Sequence, residues 1–442
     1  MSAPEALLAF ILLASLLLQA ALPSRRLVVV TTGAALAALA SALLGTATAP
    51  QLLADVPWDV IVILVSLGLL TQLFVESRVF GVLAVWATRW SQAQPRRVLV
   101  LFAVGMYVVS GLVNNLTALL LVLPILLILF KLLGVRQRYV SWTLALVLVA
   151  CNLGGAATPI GDFPAILLLG RGAMSFEMYL VRALPTTLVA LIVLLVLVMM
   201  GVRPERQLQQ HPISARLTLA TMGALYRNVR VEKGKLLPAA GWLGVMLIAW
   251  VVVPLESGVT ADLVAWLGAA GALVMVGTLG ERIIRAHVDV EATFFLLSLF
   301  VMVGAVKRSG LFTHVASWLQ GLPIPPLAQL CVFLVAAGLL TGLFSAGPSM
   351  AALLEVAERL AVQHPPEAVY VGLALSVCAG SSLFLTAATA GPLAQALTER
   401  ADLRDPDGAV IRFGFLEFLP AGLMSFCVIQ CVALAWGTWA SL

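Results

Sequence analysis

Long apolar runs separated by short polar segments make up most of this chain. A run of about 20 apolar residues is long enough to cross the hydrocarbon core of a bilayer as a helix. Two further apolar stretches, 98–133 and 327–363, are each interrupted near the middle by small or polar residues. The pattern therefore predicts ten membrane crossings, at residues 4–22, 27–45, 57–75, 139–170, 175–201, 237–255, 260–279, 290–306, 366–397 and 413–439.

The interrupted stretches favour re-entrant hairpins over pairs of full spans. A helix through all of 98–133 would be about 54 Å long, which leaves about 24 Å for each arm once a turn is formed. A full crossing needs about 30 Å. The predicted fold class is an all-α polytopic membrane protein with about ten spans, two re-entrant hairpins and inverted-topology repeats that contain discontinuous helices.

Composition and charge agree with a membrane protein. The chain is 62% hydrophobic and 11% charged, with a mean hydropathy of +1.06, which excludes an ordinary soluble domain. The distribution of the basic residues that give the net charge of +5 indicates membrane topology rather than nucleic-acid binding. If the loop with Arg25 is cytoplasmic, 21 of the 26 Lys and Arg residues lie on the cytoplasmic side. We expect a multi-pass protein of the cell inner (plasma) membrane, with the basic linker 202–236 in the cytoplasm.

With the same assignment of membrane sides, the first hairpin enters from the cytoplasm and the second from outside, as in an inverted-topology repeat. Phe80 and Thr117 in the first half have the same spacing as Phe312 and Ser349 in the second. The predicted divisions are N-terminal spans 1–56, a first repeat 57–201, the basic linker 202–236, scaffold spans 237–289 and a second repeat 290–442.

The turn of the first hairpin, at Val113–Thr117, carries Asn114, Asn115 and Thr117. Their amides offer oxygens to a cation and NH2 groups to an anion. Thr117 begins a returning helix, whose exposed N–H groups favour negative charge. An N-cap role alone is the simpler alternative, but adjacent Asn residues are costly in so apolar a stretch.

The span 139–170 is interrupted by the first break, a run of glycine and proline with one carboxylate, formed by Gly154, Gly155, Thr158, Pro159, Gly161 and Asp162. A proline kink needs fewer of these residues, so an ion site is favoured. Asp162 is a candidate Na+ ligand, proton carrier or helix cap. Candidate Na+ ligands are Asn115, Thr158 and Asp162.

Weaker echoes of both breaks lie in the second half, with hydroxyls in place of amides. Glu355 has two charged residues close to it in the sequence, Glu358 and Arg359. We therefore expect Glu355 to lie at the outer interface of the membrane. The candidate substrate residues here are Ser345, Gly347 and Ser349 in the hairpin turn, and Gly380, Ser381, Ser382, Thr386 and Thr389 in the broken span.

The runs VNNLTALLLVLP (113–124) and NLGGAATPIGDFPAILLLG (152–170) resemble the ion transporter superfamily. It includes divalent anion:sodium symporters, arsenite permeases, the melanosomal P protein and D-type Na+/H+ antiporters. The resemblance implies two hairpins and two broken helices around one substrate, and a homodimer. The second turn lacks the Asn and Thr of dicarboxylate symporters, and Ala165 stands where permeases carry Asn.

The leading functional hypothesis is a secondary transporter that moves a small inorganic or carboxylate anion, coupled to Na+ or H+, by alternating access. A Na+/H+ antiporter that uses Asp162 is the alternative. A channel or a non-transporting scaffold is a further class, and no catalytic group of an enzyme is recognisable. We expect the bilayer and a small ion as partners, no nucleic acid, and no cofactor other than Na+ or H+ as the coupling ion.

Overall fold

The computed structural model describes residues 3–22, 25–203, 220–221, 230–253, 258–388 and 390–442. Within these residues the secondary structure is helical, apart from one isolated antiparallel bridge between Arg404 and Val410. The helices up to the linker are α1 (Ala3–Ala21), α2 (Arg26–Leu43), α3 (Ala49–Ala54), α4 (Trp58–Glu76), α5 (Val79–Ser91), α6 (Pro95–Ser110), α7 (Asn115–Leu133), α8 (Gln137–Ala157), α9 (Phe163–Gly170) and α10 (Phe176–Val202).

The helices after the linker complete an all-α membrane protein, as predicted. Nine of the described helices are long and apolar enough to cross a bilayer. The second group is α11 (Lys233–Val252), α12 (Ala261–Met275), α13 (Thr278–His287), α14 (Val290–Ser309), α15 (Leu311–Gln320), α16 (Pro326–Phe344), α17 (Ala346–Leu360), α18 (Pro366–Ser381), α19 (Gly391–Arg400) and α20 (Phe415–Ala440).

The order of elements from α4 to α10 recurs from α14 to α20. Each series has a long helix, a short helix, two helices joined by a tight turn, a broken helix and a long closing helix. The repeated order agrees with the predicted repeats. The opposite orientation of the two series in the membrane stays a prediction, as do the domain boundaries.

Both predicted hairpins form, with arms of unequal length. The first joins the 16 residues of α6 to the 19 residues of α7, and the second joins the 19 residues of α16 to the 15 of α17. At about 1.5 Å per residue the longer arms reach about 28 Å. The longer arms, α7 and α16, are among the nine helices long and apolar enough to cross a bilayer, which the sequence argument did not anticipate.

The broken helices form the interior of the protein. Of the 18 residues in the most apolar window of α8, 94% are buried, whereas only 22% of the corresponding window of α11 are buried. The side chains of α18 are buried from Ala368 to Ser381. A helix surrounded by protein can carry polar backbone breaks at membrane depth, because neighbouring protein groups can satisfy them.

The five Lys and Arg residues that the charge pattern assigns to the outer side all have partners among the described residues. Arg171 and Lys307 contact the two carboxylate oxygens of Glu355, at 3.2 and 2.6 Å. Glu355 is only 5% exposed, so it lies inside the protein rather than at the surface that its neighbours suggested. The other three pairs are Arg182 with Glu367, Arg308 with Asp55, and Arg359 with Thr313 Oγ1.

Most of the basic linker 202–236 lies outside the described residues. Its described end contacts the first repeat, because Lys235 Nζ lies 3.2 Å from Glu76 and 2.8 Å from Glu232. The pair with Glu76 attaches the start of α11 to the end of α4. That the linker is cytoplasmic stays a prediction.

Candidate functional site

Glycines allow the backbone of α8 to lie directly against α6. A Cβ at Gly154 would collide with the carbonyl oxygen of Tyr107, and one at Gly161 with that of Ser110. Thr158 Oγ1 donates a 2.6 Å hydrogen bond to the carbonyl of Gly111, the residue that ends α6. The first break is therefore packed against the first hairpin turn, and the motif glycines serve this close packing.

The second half uses the same construction. A Cβ at Gly380 would collide with the carbonyl oxygen of Gly338 and lie 2.9 Å from the backbone nitrogen of Gly342. Gly380 is near the end of α18, as Gly154 is near the end of α8, and both meet the first arm of their own hairpin. The predicted correspondence of the two breaks thus extends to their packing.

Asn115 and Asp162 meet at Gly155. A Cβ added to Gly155 would lie 2.6 Å from Asn115 Oδ1 and 2.8 Å from Asp162 Cβ, so both side chains lie on this glycine. Asp162 Oδ1 caps α9 by accepting a 2.9 Å hydrogen bond from the backbone N–H of Phe163. The buried Nδ2 of Asn115 has no hydrogen-bond partner among the described residues. The hairpin tip and the first break therefore share one polar centre.

The orientation of the Asn115 amide group depends on which oxygen accepts the hydroxyl proton of Ser110. Ser110 Oγ contacts both Asn115 Oδ1 and, at 2.7 Å, the carbonyl of Cys151. One hydroxyl has one proton, so it can donate to only one of these oxygens. If it donates to Cys151, the Asn115 amide turns to donate to Ser110, which also relieves the unpartnered NH2. In that orientation the Asn115 carbonyl oxygen would lie beside Asp162, whereas in the orientation that the structure shows it is the Asn115 NH2 group that faces the Asp162 carboxylate.

A small cavity lies where the two broken helices meet. Its volume is about 10 Å³, roughly the space of one water molecule. Asp162 and Tyr179 line it from the first repeat, and Ala346, Cys378 and Ser381 from the second. Two of the predicted site residues, Asp162 and Ser381, are thus brought together from opposite ends of the sequence.

The second hairpin turn is strained. Ser345, between α16 and α17, has φ of +75° and ψ of 163°, a region that only glycine normally adopts. A Cβ placed on Gly347 would lie 3.6 Å from the ring of Phe163, so the turn approaches the start of α9. The buried Ser349 Oγ has no hydrogen-bond partner among the described residues.

The other predicted residues take different positions. Asn114 is exposed and caps α7 by accepting from Leu116 N–H at 2.9 Å. Thr117 is half-buried, Pro159 is buried in the turn after α8, and Thr386 is exposed. Thr389 lies outside the described residues. None of Asn114, Thr117 and Thr386 lines the central cavity.

Sequence reasoning missed several polar residues beside the site. Tyr179 lines the cavity and donates a 2.8 Å hydrogen bond to the carbonyl of Ala156. Asn152 donates to Ser381 and Ser382, and Ser110 contacts Asn115. Ser110 and Asn152 lie in apolar runs, where the available signal was the cost of a polar residue in a membrane helix. Tyr179 has Glu177 and Arg182 close by in the sequence, so it carried no such signal.

A helical membrane protein with two broken helices that meet at a small buried cavity containing a carboxylate has the architecture of a secondary transporter. The sequence pattern of the CitMHS citrate transporter family matches residues 9–380 and 257–439. The chain therefore belongs to this family of membrane transporters.

Several relatives agree with this assignment. An uncharacterised transporter of Mycobacterium tuberculosis is 27% identical over 358 residues, which are 79% of this chain and 80% of that protein. The magnetosome protein MamN of Paramagnetospirillum magneticum is 27% identical over 392 residues, or 88% of this chain and 87% of MamN. The human P protein is 29% identical over 125 residues, covering 28% of this chain and 15% of its own length.

The fold is also found in a solved structure. The Alcanivorax borkumensis YdaH transporter matches with a TM-score of 0.50 at 16% identity, over 99% of this chain and 98% of YdaH. Together with the family match and the P protein, this confirms the resemblance drawn from the two motifs. The homodimer that the resemblance implies stays a prediction.

Proposed function

We propose that this transporter moves a small inorganic or carboxylate anion, coupled to Na+ or H+, by alternating access. The observation that carries the proposal is the cavity that Asp162 and Ser381 line from two different repeats. A site at the junction of two repeats can change its accessibility when one repeat rocks against the other. Family membership makes citrate the first substrate to test.

The residues divide into two groups by their chemistry. Asp162 supplies carboxylate oxygens for a cation, with the Asn115 side chain beside it at Gly155 and Thr158 close by on the same break. Ser381 and Ser382 supply hydroxyls, which can donate to an anion. The cavity of about 10 Å³ has room for an ion but not for a carboxylate anion. Anion binding therefore requires the second hairpin to move away from α9.

Uptake into proteoliposomes tests the proposal. Uptake of labelled citrate and sulfate is measured with an inward Na+ gradient, an inward proton gradient or no gradient. The gradient that accelerates uptake identifies the coupling ion. Wild-type uptake that is indifferent to both gradients contradicts secondary active transport.

The variant Asp162→Asn tests the ion site. It is expected to remove the dependence on the gradient, because no other carboxylate lines the cavity in the described part of the chain. Asp289→Asn is a matched control, since Asp289 also caps a helix, accepting from Ala292 N–H at 2.8 Å, and lies away from the breaks. It is expected to keep gradient-driven uptake.

The alternative is a Na+/H+ antiporter that exchanges both cations at Asp162. The position of Asp162 beside Asn115 in the first break favours a cation at this residue in either case. Proteoliposomes with an entrapped pH dye distinguish the two. A Na+-driven change in internal pH without any added anion favours the antiporter, whereas a change that requires citrate or sulfate favours the symporter.

A further inference from the structure

Asn152 connects the two broken helices. It lies on α8, is 4% exposed, and donates from Nδ2 to the carbonyl of Ser381 at 3.2 Å and to Ser382 Oγ at 3.1 Å. Ser381 is the last residue of α18 and Ser382 is its C-cap. Among the described residues, these are the only side-chain hydrogen bonds between the two broken helices.

The two contacts have different chemical effects. The Ser381 carbonyl is one of the last carbonyls of α18, which lack a partner within the helix, and the Asn152 amide holds it in place. Ser382 Oγ accepts from Asn152 and so keeps its own proton available to donate. The thiol of Cys378, which lines the cavity, lies close to Ser382 and is only a weak acceptor.

A hydroxyl that already accepts a hydrogen bond is also the stronger donor, because hydrogen bonds in a chain polarise one another. Ser382 is fully buried, where such a bond is not competed away by water. Asn152 therefore orients the proton of Ser382 away from α8 and toward Cys378. Ser382 itself does not line the closed cavity, but its neighbours Cys378 and Ser381 do.

We propose that Asn152 is a positioning residue that sets Ser382 as a hydrogen-bond donor to the transported anion. This inference rests on the proposed anion transport. It assigns Asn152, on the helix that leads to the cation break, a part in anion binding on the other repeat. The two halves of the site are then joined through one amide rather than acting separately.

The test measures ligand-dependent thermal stability of the full-length protein in detergent, titrated with citrate and with sulfate in Na+ buffer. Ligands of the folded state raise stability by mass action. A lost hydrogen bond to a charged group costs about 1.5–3 kcal/mol, so Asn152→Asp, Asn152→Ala and Ser382→Ala are each expected to weaken the apparent anion affinity by roughly 10- to 100-fold. Ser382→Thr keeps the hydroxyl and is expected to stay close to wild type.

A double-mutant cycle separates positioning from independent effects. Because Asn152 acts through Ser382, the pair Asn152→Ala and Ser382→Ala should bind anion no more weakly than Ser382→Ala alone. The matched control is Ser376→Ala, on the same helix α18 as Ser382. It removes the buried 3.2 Å hydrogen bond that Ser376 Oγ accepts from Gln430 on α20. It is expected to lower the ligand-free melting temperature and leave the anion affinity unchanged.

Three results overturn the inference. In the first, the Asn152 variants lower the ligand-free melting temperature but keep wild-type anion affinity, which shows a purely structural role. In the second, the two substitutions weaken affinity additively. In the third, neither anion stabilises the wild type, and the proposed anion transport then falls as well. The first two results leave anion transport intact.

Discussion

Gly154→Ala tests whether the backbone contact between α6 and α8 supports the site. The new Cβ would collide with the Tyr107 carbonyl oxygen and lie 2.9 Å from the carbonyl carbon and from Cα of the same residue. Ordinary carbon–carbon contacts are about 3.5–4.0 Å. All three atoms belong to the backbone, so a side-chain rotation cannot relieve the clash. The two helices must separate by roughly 1 Å.

Overpacking of this kind costs about 1–3 kcal/mol. Since Thr158 and Gly161 contact the same end of α6, we expect a loss of ion binding together with the loss of stability. Gly380→Ala makes the equivalent change in the second half, against Gly338. It should have a similar effect.

The assay is thermal unfolding in detergent, followed by the fluorescence of the ten tryptophans, with and without Na+. Gly105→Ala on α6 is the control, because a Cβ there meets nothing within 4 Å. It should stabilise the helix by about 0.5–1 kcal/mol. If Gly154→Ala melts at or above the wild-type temperature and keeps its response to Na+, the packing argument is refuted.

Two further pairs of substitutions test charge and strain. Glu355→Gln should destabilise by about 1.5–3 kcal/mol, because it leaves Arg171 and Lys307, which are both partly exposed, without their shared carboxylate. Lys307→Ala should cost less, since Lys307 is 45% exposed and Glu355 keeps Arg171; equal losses in melting temperature would contradict this. Ser345→Gly should stabilise by roughly 1 kcal/mol, as about 1–3 kcal/mol of strain exceeds the added chain entropy. Ser345→Ala keeps the strain, so an equal gain from it in chemical unfolding would count against the explanation.

The spans and both breaks could be predicted from the sequence because their signals are local. The run 57–75 became α4, Trp58–Glu76, and the proline and glycines of the first break end α8 at Ala157. Glycine, proline and apolar length act within a few residues, so a single sequence contains what is needed to find them.

The partners of the site residues could not be predicted, because they depend on contacts between distant segments. Asn152 meets Ser381 across 229 positions of sequence, and Arg171 meets Glu355 across 184. The neighbours of Glu355 suggested an exposed position, but its side chain turns toward cations on α14 and at the end of α9. The positive φ of Ser345 could not be predicted, because glycine is the residue that normally adopts it and Gly347 lies only two positions away.

The pairing of the five predicted outer cations implies that membrane insertion and helix assembly depend on different charged residues of this protein. Orientation during insertion follows Lys and Arg, to which Asp and Glu contribute little. Glu355, Glu367 and Asp55 are therefore not expected to influence which way the chain is inserted. They act later, when the inserted helices assemble and each carboxylate meets its cation. A variant that lacks these acids should be inserted in the correct orientation and still fail to assemble a stable transporter.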